Sequence, residues 1–117
     1  MTNEIKNTEQ IKGSVAKLSK IFEHRTRLAI CVLLMSYERI SFRRFKELLA
    51  ESDGSLGAQL RKLEDEKCIS IHKEFENRRP ISWYSITSKG RAALNDHISA
   101  VETLLDIVPE KKEAKND

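Results

Sequence analysis

The stretch SFRRFKELLAESDGSLGAQLRKLEDEKCISIHKEFENRRPISWYSI, residues 41–86, decides the fold of this chain. Ser41 offers a hydroxyl as N-cap, and Phe42, Phe45, Leu48 and Leu49 then recur at helical spacing, leaving Arg43, Arg44, Lys46 and Glu47 toward solvent. The spacing predicts a one-sided helix of about two and a half turns. The polar run Ala50-Glu51-Ser52-Asp53-Gly54 ends it, and Ser52 or Asp53 can cap a second helix with an acid at the positive end of its dipole. In that helix Leu56, Leu60 and Leu63 stand at i, i+4 and i+7 and define the buried stripe. Ala58 and Arg61 therefore face outward, flanked by Ser55, Gly57 and Lys62, while Gln59 lies nearer the buried edge.

Two period-2 segments follow. Ile69 and Ile71 alternate with Ser70 and His72, and Tyr84 and Ile86 alternate with Trp83 and Ser85, as in half-buried strands. Between them Lys73 to Pro80 reads as an exposed loop, in which Asn77 tolerates a left-handed backbone and Pro80 removes a donor at the strand entrance. Arg78 and Arg79 are thereby expected in water. Two short helices joined by a tight polar turn and followed by a basic hairpin form a winged helix-turn-helix. The fold class is mainly α with a small antiparallel β-hairpin wing, an α+β arrangement. Such a motif offers one helix and one cationic hairpin to a duplex, so double-stranded DNA is the expected partner. Ser55, Gly57, Ala58, Arg61 and Lys62 are the candidates for base edges. Arg43, Arg44, Lys73, Asn77, Arg78 and Arg79 are the candidates for the backbone.

On these residues the chain resembles small winged-helix transcriptional regulators of the MarR/ArsR-like kind. The likeness rests on Arg27-Leu28-Ala29-Ile30, Asp53-Gly54-Ser55-Leu56, Leu60-Arg61-Lys62-Leu63-Glu64, Phe75-Glu76-Asn77-Arg78-Arg79-Pro80 and Tyr84-Ser85-Ile86-Thr87-Ser88-Lys89-Gly90-Arg91, and it spans roughly Leu18 to Leu105. The resemblance implies a homodimer that reads a pseudo-palindromic operator, with the second helix of the motif in the major groove and the wing along the backbone or minor groove. It also leaves room for an unidentified small-molecule effector. Two positions depart from the pattern: Lys67 stands where a helix-terminal Gly is common, and Asn77 replaces a Gly at the wing tip.

Bulk composition agrees without deciding. At 117 residues the chain suits one domain, and its net charge of +3 is only mildly basic. Distribution says more, because the cations gather on the two motif helices and the wing, whereas Glu64, Asp65 and Glu66 close the second helix away from its reading end.

The flanks carry a second pattern. From Asn7 or Thr8 as cap, Ile11, Val15, Leu18 and Phe22 recur at helical spacing, and Leu94, Ile98, Val101, Leu105 and Val108 repeat this toward the C-terminus. A winged core could cover one such stripe but hardly two, so both are expected at a two-fold interface. Folding back onto the same domain is the alternative. Thr87 should cap the last helix and Pro109 end it. Residues 1–6 and 109–117 read as unstructured, with 7–108 as a single domain. The segment from about Thr26 to Tyr37 is apolar nearly all round, suits the centre of the fold, and is too short to span a bilayer. The polar start, Met1 to Gln10, carries no signal-peptide pattern, which makes the cytoplasm the expected location.

Other chemistries find little support. Cys31 and Cys68 are far apart in sequence, His24, His72 and His97 fall on three elements, and neither set has metal-ligand spacing. The expectation is no cofactor and no metal site, with an intersubunit site of His97 and Asp96 or Glu102 as the variant left open. There is no phosphate loop, serine elbow or HExxH, and adjacent carboxylates such as Asp65 and Glu66 diverge on a helix, so no catalytic residue is assigned and the chain is not expected to be an enzyme. Trp83 alternates outward from Tyr84 and could pack under the terminal helices, line a ligand pocket or stiffen the wing. The rival reading is a winged-helix protein-interaction module without DNA binding.

Overall fold

The structure is a computed structural model and describes residues 2–107, with side chains from residue 7 onward. Its elements are α1 (Thr2–Lys17), a single 3-10 turn (Lys20–Phe22), α2 (Arg25–Ser36), β1 (Ile40–Ser41), α3 (Phe42–Leu49), α4 (Asp53–Asp65), β2 (Ile69–Glu76), β3 (Arg79–Ile86) and α5 (Ser88–Ile107). They divide into two compact units, residues 20–94 and the two flanks, of which residues 2–19 and 95–107 are described.

The unit of residues 20–94 holds the core. Ile30, Cys31 and Leu34 of α2, Phe45 of α3, Leu56, Leu60 and Leu63 of α4 and Leu94 of α5 are essentially solvent-free, and Phe22, Ile40, Cys68, Ile69 and Tyr84 complete the cluster. The leucine stripe of α4 is thus the buried face that its spacing predicts. Each of those leucines contributes roughly 2 to 3 kcal/mol of burial. α2 is less uniformly enclosed than its composition suggests, since Val32 points to solvent at 45 % exposure. Phe45 and Tyr84 meet edge to face, their ring centroids 6.2 Å apart, and so pin α3 to the sheet.

The sheet has three antiparallel strands in the order β1-β3-β2. The two-residue β1, absent from the sequence reading, pairs Ile40 with Tyr84 and Ser41 with Trp83. β2 and β3 are longer than the alternation indicated and run to a two-residue connection, so Lys73 to Glu76 and Pro80 are strand and not loop. Asn77 and Arg78 alone form the tip, with φ of 51° and 64°. Positive φ at both central residues is the type I′ geometry whose twist matches the strands.

Helix ends follow local chemistry. Ser41 Oγ accepts from the Arg44 amide at 3.1 Å and Ser52 Oγ from the Ser55 amide at 3.2 Å, the two N-caps expected of them. His24 caps α2, its Nδ1 accepting from the Thr26 amide at 3.1 Å. At the end of α4 Lys67 takes φ 61°, with its amide bonded to the Glu64 carbonyl and that of Cys68 to the Leu63 carbonyl, both at 2.9 Å. This is a Schellman ending, formed by a lysine where glycine is usual. Thr87 locks the junction beyond it. Its hydroxyl donates to the Lys67 carbonyl at 2.6 Å and accepts from the Gly90 amide at 3.0 Å, capping α5 as expected. Gly90 lies so close to the Cys68 carbonyl that a Cβ there would stand 2.0 Å from its oxygen.

In the unit of the flanks, α1 begins at Thr2, so Asn7 and Thr8 lie inside the helix and are not its cap, and residues 2–6 continue it where an unstructured leader was expected. The run has no proline and its Glu and Lys residues are good helix formers, with Gly13 as a weak position inside it. Two of the nine positions assigned to the interface are also corrected. α1 ends at Lys17, and Phe22 sits on the following 3-10 turn, 3 % exposed in the core, while Leu94 is fully buried. Both serve the winged core. Ile11, Val15, Ile98, Val101 and Leu105 remain exposed, Leu105 at 70 %, and Leu18 is half-buried. Val108 and residues 109–117 lie outside the described residues.

Candidate nucleic-acid interface

α4 presents the face opposite Leu56, Leu60 and Leu63. Ala58, Arg61 and Lys62 are exposed there, and Ser55 and Gly57 are half-buried beside them. The helix is held from behind by two polar struts. Arg27 of α2 donates from Nε to the Ile21 carbonyl and from Nη1 to Gln59 Oε1, both at 2.7 Å, so Gln59 anchors the helix and is not presented. Thr26 donates its hydroxyl to Glu51 Oε1 at 2.8 Å in the turn before α4. That bond, with help from Ser55, holds the Glu51 carboxyl below the ordinary glutamate value. Lys46 Nζ meets Asp53 Oδ1 at 2.6 Å and fastens α3 to the first turn of α4.

Gly57 has no internal reason to be glycine, because a Cβ on it would meet nothing within 4 Å. Glycine inside a helix costs roughly 1 kcal/mol relative to alanine, so this position gives up stability without gaining internal packing.

The cations sort into committed and uncommitted ones. Arg44 hydrogen-bonds Glu47 at 2.9 Å, and Arg43 approaches the same carboxylate at 3.8 Å, so one acid partly neutralises both. Lys62 stands 3.9 Å from Glu66, a loose pair. Arg61, Lys73, Arg78 and Arg79 are exposed and make no ion pair among the described residues. Exposed pairs are worth little, yet they lower the local positive potential that a phosphate would meet. The strongest uncompensated charge is therefore on α4 at Arg61 and along the wing.

The wing is braced by a residue that sequence reasoning passed over. Arg39, in the link between α2 and β1, places its guanidinium 4.0 Å above the Trp83 ring and donates to Glu74 Oε1 at 2.9 Å. His72 Nε2 approaches the same oxygen at 3.3 Å. His72, Glu74 and Trp83 share one face of the hairpin, since Trp83 stands opposite His72 and Ile81 opposite Glu74. Trp83 thus belongs to a clamp that fixes the wing to the body. Its Nε1 lies against Glu74 without meeting hydrogen-bond geometry, and the Arg39 hydrogen bond is the leading cause that holds the Glu74 carboxyl low. Arg39 could not be found from spacing, because its partners lie far along the chain.

Beside the clamp a cleft of about 830 Å³ opens between the start of α3 and β3, with Phe42 and Trp83 on its apolar side and Arg43 and Arg79 at its edge. Among the described residues no three His, Cys, Asp or Glu side chains gather into a metal-binding group. Cys31 and Cys68 are both buried in the core. Desolvation, and secondarily the neighbouring Cys68, push the Cys31 thiol up to about 12, which leaves it unreactive at neutral pH. His97 Nδ1 accepts from the Ser19 amide at 2.9 Å. No helix of the described residues is long and apolar enough to cross a membrane.

Comparison with known proteins adds to this geometry. Residues 26–105 match the family described as winged helix DNA-binding domain. An uncharacterized protein of Methanocaldococcus jannaschii is 35 % identical over 79 residues, which cover 68 % of this chain and 86 % of that protein. Among solved structures, a transcriptional regulator homologue from Pyrococcus horikoshii superposes with a TM-score of 0.73 at 23 % identity, covering 84 % of this chain and 95 % of that one. A mutant MarR from E. coli, solved with operator DNA, gives 0.62 at 12 % identity over 92 % of this chain and 76 % of its own. At such identities the structural matches establish a shared fold.

Proposed function

The chain belongs to the winged helix DNA-binding domain family and has a MarR-like fold, and from that premise we propose that it is a transcriptional regulator acting as a cytoplasmic homodimer on a pseudo-palindromic operator. In this reading α4 enters the major groove. Ser55, Arg61 and Lys62 hydrogen-bond base edges, and Gly57 and Ala58 allow close approach or contact with a thymine methyl. Asn77, Arg78, Arg79 and Lys73 of the wing meet the backbone beside it, and Arg43 and Arg44 add weaker, Glu47-shared contacts.

The single observation that carries the reading is that Arg61 on the outward face of α4 and Lys73, Arg78 and Arg79 on the wing make no ion pair among the described residues. A protein-interaction module would have no need to keep Arg61, Arg78 and Arg79 unpaired on adjoining elements while bracing the wing with Arg39. The exposed side chains Ile11 and Val15 of α1 and Ile98, Val101 and Leu105 of α5 support a second copy as the partner of the flanking helices, since apolar surface left in water favours association. Two copies would bring two α4 helices to half-sites roughly 34 Å apart.

The test is a salt-dependent binding assay on duplexes selected from random sequence, combined with sedimentation of the free protein. Arg61→Ala should relax preference at one base position per half-site and cost roughly 1 to 3 kcal/mol there. Uniform loss across all sequences would remove Arg61 from base readout, and a monomer at micromolar concentration would remove the dimer.

A further inference from the structure

Phe75 is the most exposed large apolar side chain of the described residues, at 81 %, and it sits on the wing next to the tip. Its cross-strand partner is Pro80. By the alternation of the strands Phe75 shares a face with Lys73 and Ile71, and Pro80 with Ser82 and Tyr84, so the pair continues the core-facing side of the hairpin past the point where the core ends. Ile71 is half-buried and Tyr84 buried on that face, whereas Phe75 has left the body entirely. Nothing internal uses the ring. The Arg39–Trp83–Glu74 clamp occupies the other face and holds the projecting hairpin to the body.

An aromatic ring held out in water on a braced support, among exposed cations, is costly for a monomer and calls for an occupant. The charge selects it. Lys73 on the same face and Arg78 and Arg79 at the tip make no ion pair among the described residues and outnumber Glu76, which stands opposite Arg79, so the surroundings of the ring favour a polyanion over an apolar protein surface. The wing ends in a two-residue turn, narrow enough to address the minor groove, where apolar side chains, phenylalanine and proline among them, wedge between base steps and open the stack.

Resting on the proposed docking of the wing beside α4, we infer that Phe75, backed by Pro80, is an apolar wedge that presses into a base step of the minor groove, so that this protein unstacks and bends its duplex instead of only tracking the phosphates. Specificity then has a component that no hydrogen bond supplies. Flexible pyrimidine–purine steps at the wing position should be preferred, because they unstack at lower cost.

The probe is a duplex recovered from a random-sequence library by selection with the full chain, footprinted with permanganate for unstacked thymines and diethylpyrocarbonate for unstacked purines, and end-labelled for bend measurement by energy transfer. The wild-type complex should show at least threefold enhanced reactivity at one step per half-site, beyond the bases under α4, and a bent duplex. Phe75→Ala should abolish the enhancement and straighten the duplex while affinity falls no more than about tenfold and the salt slope stays within about 0.9. Phe75→Leu should restore part of both, and it also serves as the folded control should the alanine variant be unstable. Unaltered reactivity in the wild-type complex would overturn the wedge even with tight, salt-dependent binding, and so would a Phe75→Ala complex as distorted as the wild type. A change in sedimentation on Phe75→Ala would likewise overturn it by assigning the ring to self-association. Failure of the wild type to retain any duplex would instead refute the docking of the wing and α4.

Discussion

Arg78→Gly separates what the wing does for folding from what it does for binding, because the two effects have opposite signs. Arg78 sits at φ 64°, the second of two consecutive left-handed residues in the turn. A side chain there costs roughly 1 to 2 kcal/mol, part of which is offset by the greater freedom glycine has in the unfolded chain, leaving a gain of about 0.5 to 1 kcal/mol for the variant. The replacement also creates Asn-Gly, the pair best suited to a type I′ turn. The melting temperature should rise by about 2 to 6 °C for a domain of this size. Binding moves the other way. Arg78 is exposed and unpaired among the described residues, so on the proposed docking the variant should lose one phosphate neutralisation, and the slope of log affinity against log salt should flatten by about 0.9. Over a fourfold rise in salt the wild type then loses roughly 3.5-fold more affinity than the variant, since four raised to 0.9 is about 3.5. Fluorescence anisotropy on a selected duplex from 50 to 200 mM salt, beside calorimetric melting, measures both. A more stable variant with an unchanged slope would take Arg78 off the duplex. A less stable one would refute the strain at the tip.

Gly57→Ala should act in the same crossed manner on α4: its Cβ meets nothing inside the protein, so urea unfolding should show a gain of about 0.5 to 1 kcal/mol, while affinity for the selected duplex drops at least severalfold. Equal or tighter binding would show that the close approach is not used. Gly90→Ala should instead destabilise by about 1 to 3 kcal/mol in the same unfolding measurement, because its Cβ would strike the Cys68 carbonyl and force α5 away from the end of α4; a neutral result would mean that the junction is looser than its hydrogen bonds indicate. The Arg39 clamp carries a pH signature. Glu74 is held below the ordinary glutamate value, chiefly by the Arg39 hydrogen bond, so the stabilisation is present above the unfolded value and is lost as pH falls through the folded one. Fluorescence of Trp83, the single tryptophan, should stay flat from pH 8 to pH 5 and change only with further acidification, a change that Arg39→Ala abolishes. A transition above pH 5 would take control of the wing away from Glu74.

How far the sequence could be read depended on whether burial stood behind each signal. Leu56, Leu60 and Leu63 announce α4 because one side of that helix meets the core, and Ser41, Ser52 and Thr87 announce helix starts because their hydroxyls have a local amide to serve. The outward residues of α4 follow by subtraction. The wing was misread as an eight-residue loop for the converse reason: beyond His72 one face of the hairpin runs out into water and the other carries the polar clamp of Arg39, so Lys73 and Phe75 on one side and Glu74 and Glu76 on the other carry no apolar period. Glycine was equally silent about turns. Among the described residues every left-handed position, Ala50, Lys67, Asn77 and Arg78, belongs to another residue type, and no glycine has positive φ. The seam on the flanks failed at Phe22 because a spacing was continued past the end of α1, where the same interval no longer keeps a side chain on one face, and at Leu94 because the first turns of α5 bury that stripe in the winged core. Arg39 was out of reach, since a clamp of cation, indole and carboxylate leaves no local pattern when its members come from a link and two strands. These misses have a common form: each involves a residue whose conformation or partner is set by the tertiary fold, and the wing gathers most of them. It is the element with the least burial to specify it, and the brace from Arg39 supplies the rigidity that the core cannot extend that far. A DNA contact placed on such a hairpin depends on that brace, so substitutions at Arg39, Glu74 or Trp83 should weaken binding without any of the three touching the duplex.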